Sequence, residues 1–204
     1  MTVRRTYTMI FRPDLHQIRN SDMTRTANPW TVDTRTIVLA AIFGAMVIAL
    51  QVVGLGSIPV PNVSGAMTTL LIPVILGAII GGPLVGMFAG LIMGVIYLIL
   101  PATAAFGPIT LIVPRLVFAL VAWAVYGALR GSTNNAVISG AAAGAAGALT
   151  NTVTAVGIAV LLGQVPVEVI PAILPQALIE LVGCAVIIPI IVVAVETSLR
   201  ARAR

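Results

Sequence analysis

Arg115, Asn151 and Glu180 are the side chains with the clearest chemical potential, because each interrupts a run of apolar residues. Arg115 follows Pro114 where such a run begins, and proline suits the first position of a helix. A helix N-terminus carries partial positive charge, so a guanidinium there would make a concentrated anion site. Snorkelling to lipid headgroups, or a salt bridge to Glu180 or Glu168, would explain the same residue without a ligand. Asn151 stands between Thr150 and Thr154 in "GALTNTV". Its amide both donates and accepts, so it could read an amide or hydroxyl. It could equally bond a neighbouring helix, an interaction averaging about 0.6 kcal/mol in membrane proteins. An unpaired acid deep in hydrocarbon costs about 3 kcal/mol, so Glu180 should face inward with a partner such as Arg115, Asn151 or Gln176. That makes it structural first and a ligand contact second. Asn62, Phe106 and Glu168 fall in connecting segments and could close over such a site.

The chain that must position these residues is 59% hydrophobic and 8% charged over 204 residues. Soluble domains carry roughly a quarter charged residues, so this composition belongs in a bilayer. No acid, base or histidine occurs from Thr36 to Pro114. All eleven basic residues are arginine, and the formal charge of +5 gathers in the two ends rather than in a nucleic-acid patch. Without lysine there is no Walker A motif, so any ATP hydrolysis must fall to another subunit. Cys184 is the lone cysteine and His16 the lone histidine, which excludes an intrachain disulfide and argues against a metal cluster. No cofactor is expected.

Proline, glycine and polar residues divide the apolar sequence into six candidate spans, near 36–54, 66–81, 83–100, 114–130, 135–163 and 175–198. The expected fold is therefore all-α, a six-helix transmembrane bundle over 36–198. It lies between a flexible polar tail, 1–35, and an arginine-rich tail, 199–204. Met23 is a second candidate start. With both termini cytosolic, Arg130 and the arginines of both tails lie inside and Arg115 alone lies outside, as the positive-inside rule favours. The long proline-rich connections "GSIPVPNVSG", "PATAAFGPITLIVP" and "GQVPVEVIPAILP" then all fall outside, and the tight turns "GGP" and "RGSTNN" inside.

Two faces of small residues follow from helical spacing. Gly140, Gly144, Gly147, Asn151 and Thr154 recur at intervals of 4, 3, 4 and 3, which turns Asn151 toward a neighbouring helix. In the first span Ala41, Ala45 and Ala49, with Gly44 beside them, form a stripe that another helix could approach closely.

Taken together, these segments resemble a known family. Six spans, the Ala41-x-x-x-Ala45 pair, "LIPVILGAIIGGPLVGMFAGLIMGV", "VPRLVFALVAWAVYGALR" and "GALTNTV" look like the substrate-binding S component of energy-coupling factor (ECF) vitamin transporters, the pantothenate and folate types above all. The resemblance covers about residues 36–198. It implies a vitamin site at the outer end of the bundle. Docking would run through small residues of the first span, here Ala41, Ala45, Ala49 and Gly44, onto a transmembrane T component coupled to two ATPases. It also implies a multi-pass subunit of the cell membrane that topples in the bilayer to release its ligand. Under it Arg115 would take a carboxylate, with Asn151, Thr150, Thr154, Gln176, Glu180, Asn62 and Phe106 around it. Pantothenate offers one carboxylate, an amide and two hydroxyls, which suits that set. Folate should want more aromatic stacking, and Phe106 is the one aromatic expected in an outer loop, with Tyr97, Trp123 and Tyr126 assigned to spans or to the inner end.

Three other readings compete. A solitary bundle would use the polar residues only to lock helices. An intramembrane enzyme would need an acid pair or an activated nucleophile, and the spans have no histidine to activate one. A channel or small independent transporter would need polarity through the full depth, whereas here it collects in one half.

Overall fold

The computed structural model describes residues 29–59 and 66–202. Asn62 lies outside the described residues. The chain forms α1 (Thr34–Val52), a hairpin of β1 (Ser57–Pro59) and β2 (Ala66–Thr68), α2 (Leu71–Gly81), α3 (Pro83–Ile99), α4 (Pro108–Thr133), α5 (Ala136–Leu161) and α6 (Ile170–Arg202). Single 3-10 turns, Pro101–Thr103 and Val167–Val169, lead into α4 and α6. It is an all-α membrane bundle of six helices with one small antiparallel hairpin, whose register pairs Ser57 with Thr68. The hairpin and the two long connections gather at one end, the loop end. The tight turns gather at the other, the turn end.

Local chemistry sets the boundaries. Asp33 caps α1, its Oδ1 accepting from the Thr36 N–H and hydroxyl at 2.7 Å each. Those bonds hold its carboxyl below the usual carboxylate range. Gly82, at φ 93°, turns α2 into α3, and Pro83 follows at the first helical position. Between α4 and α5, Asn134 takes the left-handed conformation and Asn135 caps α5 by accepting from Val137 N at 2.9 Å. Trp30, just before α1, meets Trp123 of α4 edge-on at 6.0 Å.

Three spans differ from the expected bounds for identifiable reasons. Residues 66–68 begin no helix: they pair with β1, so α2 has only 11 residues. α4 starts at Pro108, which places Pro114 and Arg115 inside the helix rather than at its N-terminus. α6 starts at Ile170 and runs through Pro175. In α4 and α6 a second proline upstream, Pro108 or Pro171, occupies the first turn, where its missing N–H costs nothing.

Among the described residues four helices, α1, α4, α5 and the run Val167–Ser198, are long and apolar enough to cross a membrane. α2, about 16 Å long at about 1.5 Å per residue, is shorter than the ~30 Å hydrocarbon layer. It need not face lipid. Leu71 and every residue from Pro73 to Ala78 are buried, because the other five helices surround it. Its neighbours carry the apolar outer belt, including Ile37, Ile42, Leu178, Val182 and Ile190, all more than a third exposed.

Glycines let the helices close up. A Cβ at Gly90 of α3 would fall 2.5 Å from the Arg115 carbonyl oxygen of α4. One at Gly144 of α5 would fall 2.5 Å from the Cys184 carbonyl oxygen of α6. The small-residue face expected on α5 is thus a packing face. In α1, Ala41, Ala45 and Ala49 are exposed, but Gly44 is buried against Phe88 and Ile92 of α3. Gly44 therefore belongs to the bundle's own packing and not to an outer interface. At the turn end Arg130 pairs with Glu196 at 2.8 Å, and the Tyr126 hydroxyl donates to the same carboxylate at 3.1 Å.

Candidate substrate-binding site

At the loop end the helices and connections line a partly open cavity of about 150 Å³. Its wall draws on the hairpin, α3, the α3–α4 connection, α4, α5, the α5–α6 connection and α6, but on no residue of α2. α2 stops short of this level, and the hairpin that replaces its missing turns supplies Ser57 and Thr68 instead.

Arg115 is 7% exposed and reaches the cavity from the second turn of α4. Pro114 explains its posture. Having no N–H, Pro114 leaves the Thr110 carbonyl without the donor a helix would normally supply four residues on. The Arg115 side chain takes that vacancy, Nη1 donating to Thr110 O at 3.2 Å. Its guanidinium also lies over the Tyr97 ring, 5.0 Å from the centroid. Its Nε is buried and has no partner among the described residues.

Asn151 of α5 is 6% exposed, lines the same cavity, and has a buried Oδ1 without a partner among the described residues. Glu180 of α6 is 7% exposed. Its Oε1 accepts from the Thr68 N–H at 2.8 Å and from the Gln176 amide at 3.1 Å. The Tyr97 hydroxyl in turn donates to Thr68 Oγ1 at 2.7 Å. One chain of contacts therefore ties Arg115, Tyr97, the hairpin, Glu180 and Gln176 together. Phe106 lines the cavity from the α3–α4 connection.

The expected Arg115 to Glu180 salt bridge is absent: among the described residues the ion pair present is Arg130 with Glu196. Glu168 is exposed in its 3-10 turn and lies outside the wall. So do Thr150 and Thr154, the latter donating back to Thr150 O at 2.6 Å within α5. The cavity lies to one side of the expected row, where Thr152, Ala155 and Ala159 face it. Tyr97 belongs at the loop end of α3 and in the wall, not away from it. Thr68 and Thr110 were not legible as site residues, since neither follows a motif. Their signal was positional: polar residues next to the proline-rich connections.

These features define a class: a helical protein embedded in the membrane, with a largely apolar cavity at one end that carries a few polar groups and is suited to holding a small molecule. The family of the ECF transporter, substrate-specific component, matches residues 35–192, and the chain belongs to that family. No curated protein matches it in sequence. As such a component it is a transporter subunit that binds substrate and not an enzyme; partner subunits hydrolyse ATP. Its partners are a T component and ATPases, and it is a multi-pass protein of the cell membrane.

Proposed function

We propose that this S component binds a water-soluble vitamin or related small anion for uptake, with pantothenate-like ligands favoured over folate-like ones. The observation that carries this reading is the pair of buried, unpartnered polar atoms, Arg115 Nε and Asn151 Oδ1, in the wall of one cavity. Native proteins pair almost all buried polar groups, and residues that only locked helices together would be paired. The chemistry of the wall supports the preference within the vitamins: pantothenate offers one carboxylate, an amide and two hydroxyls to Arg115, Asn151 and the hydroxyls of Ser57 and Thr68. Aromatic content does not separate them, since Tyr97 and Phe106 both line the wall.

The arginine distribution supports cytosolic termini and an outward-facing loop end, where a scavenged ligand would arrive. The test is a thermal-shift panel of water-soluble vitamins on the detergent-purified chain. A ligand at 100 times its Kd should stabilise it by about 2.7 kcal/mol. A flat response across the panel would remove the vitamin reading.

The exposed stripe Ala41, Ala45 and Ala49 is proposed as the docking face for the T component. Ala45→Trp should abolish co-purification with the T component while leaving the ligand-induced thermal shift at its wild-type size, because Ala45 lies on the outer face of α1. Undiminished co-purification would move the interface elsewhere.

A further inference from the structure

The two charged residues of the cavity share its field but form no salt bridge with each other. Arg115 is engaged by the Thr110 carbonyl and the Tyr97 ring, and Glu180 by the Thr68 N–H and the Gln176 amide. Both bonds to Glu180 end on Oε1, and Oε2 accepts none from a described residue. Two donors converging on one oxygen suit a carboxylate, and they hold it in place rather than letting it swing to Arg115. Asn151 contributes a second acceptor through its unpartnered Oδ1. The cavity therefore has a donor pole at Arg115 Nε and an acceptor pole at Glu180 and Asn151.

Glu180 anchors the hairpin, yet a fixed carboxylate in the wall works against a site that had only to hold an anion, because like charges repel more strongly there than in water. Resting on the reading of this cavity as the substrate site, we infer that Glu180 determines specificity. It accepts a hydrogen bond from a donor group on the ligand and turns away molecules that carry a second anionic group. The substrate class is a small molecule with one anionic end and a hydroxyl, amide N–H or ammonium at the other.

Glu180→Gln isolates this role. The side chain keeps its length and an oxygen able to accept from Thr68, so the hairpin contact survives, while the free acceptor becomes an NH2 donor. Calorimetric titration of the full chain in detergent would use pantothenate, which pairs a carboxylate with hydroxyls, and 4′-phosphopantothenate, which puts a phosphate at the hydroxyl end. Wild type should bind the ester about 100-fold more weakly than pantothenate, because like charges are juxtaposed. The variant should lose about tenfold in pantothenate affinity and narrow the discrimination against the ester by a similar factor.

Wild type that takes both ligands equally overturns the inference, and that comparison stands whether or not the variant folds. So does a folded variant with both affinities unchanged. Should a different vitamin bind, the variant is titrated with that one; an unchanged affinity sinks the role of Glu180 while the substrate-binding reading stands. If no vitamin binds wild type, that reading falls and this inference with it.

Discussion

Arg115→Ala should remove most of the thermal stabilisation conferred by a carboxylate ligand, with affinity falling about 10- to 100-fold, since hydrogen bonds to charged groups contribute about 1.5–3 kcal/mol. The guanidinium spends Nη1 on the Thr110 carbonyl and its face on Tyr97, which leaves Nε as the donor in reserve. The unliganded protein should tell a different story. Losing the contact with Tyr97 costs up to about 2 kcal/mol and the Glu180 carboxylate loses a nearby opposite charge, but removing a buried charge that forms no salt bridge recovers desolvation free energy of similar size. The apo melting temperature should therefore change little. Arg115→Lys should restore only part of the affinity, because an ammonium cannot present the guanidinium's fork. Equal ligand-induced shifts in wild type and Arg115→Ala would show that Arg115 does not touch the ligand.

Gly90→Ala should be the more damaging change to the fold, although it adds a single methyl group. That methyl would sit 2.5 Å from the Arg115 carbonyl oxygen and 3.1 Å from its carbonyl carbon. Both are backbone atoms of α4, which cannot rotate aside as a side chain can, so α3 and α4 must separate by about 1 Å to reach ordinary contact. Overpacking of this kind costs about 1–3 kcal/mol. Tyr97 rides on α3 and Arg115 on α4, so the same shift pulls apart the ring and the guanidinium. Stability and ligand affinity should fall together. Gly127→Ala, also within a helix but with nothing within 4 Å of the added methyl, is the control and should be neutral or slightly stabilising. If Gly90→Ala melts like that control, the close contact between α3 and α4 does not exist in solution.

The helices were readable because the physics that ends them is local. Gly82, Pro83, Asn134 and Asn135 act on their own backbone, and six apolar runs between such residues could be counted directly. The inward turn of Asn151 was legible for the same reason, from the spacing of Gly140, Gly144 and Gly147. What escaped was decided by contacts between distant segments. Whether residues 66–68 extend a helix or form a strand depends on β1, whose pairing no helical periodicity records. The role of Pro114 changed from helix start to helix interior, because Pro108 already serves as the start. The need of Glu180 for a partner was legible, and Gln176, one of the partners expected, donates to it. The other donor is a backbone N–H of the hairpin, a group that exists at every residue and so leaves no trace in side-chain types. The alanine stripe was visible, but Gly44 beside it faces inward, and only the position of α3 decides that.

With the substrate in the proposed site, the brevity of α2 gives it a second part to play. Each other helix continues to the loop end, whereas the central one stops and the cavity begins. A molecule seated there behaves as a removable plug completing an unfinished column, touching the hairpin, α3, α4, α5 and α6 at once. Cohesion of that half of the bundle and affinity for the cargo are then two readings of one quantity. A subunit that must give up its cargo can do so by loosening the same walls that the cargo had drawn together.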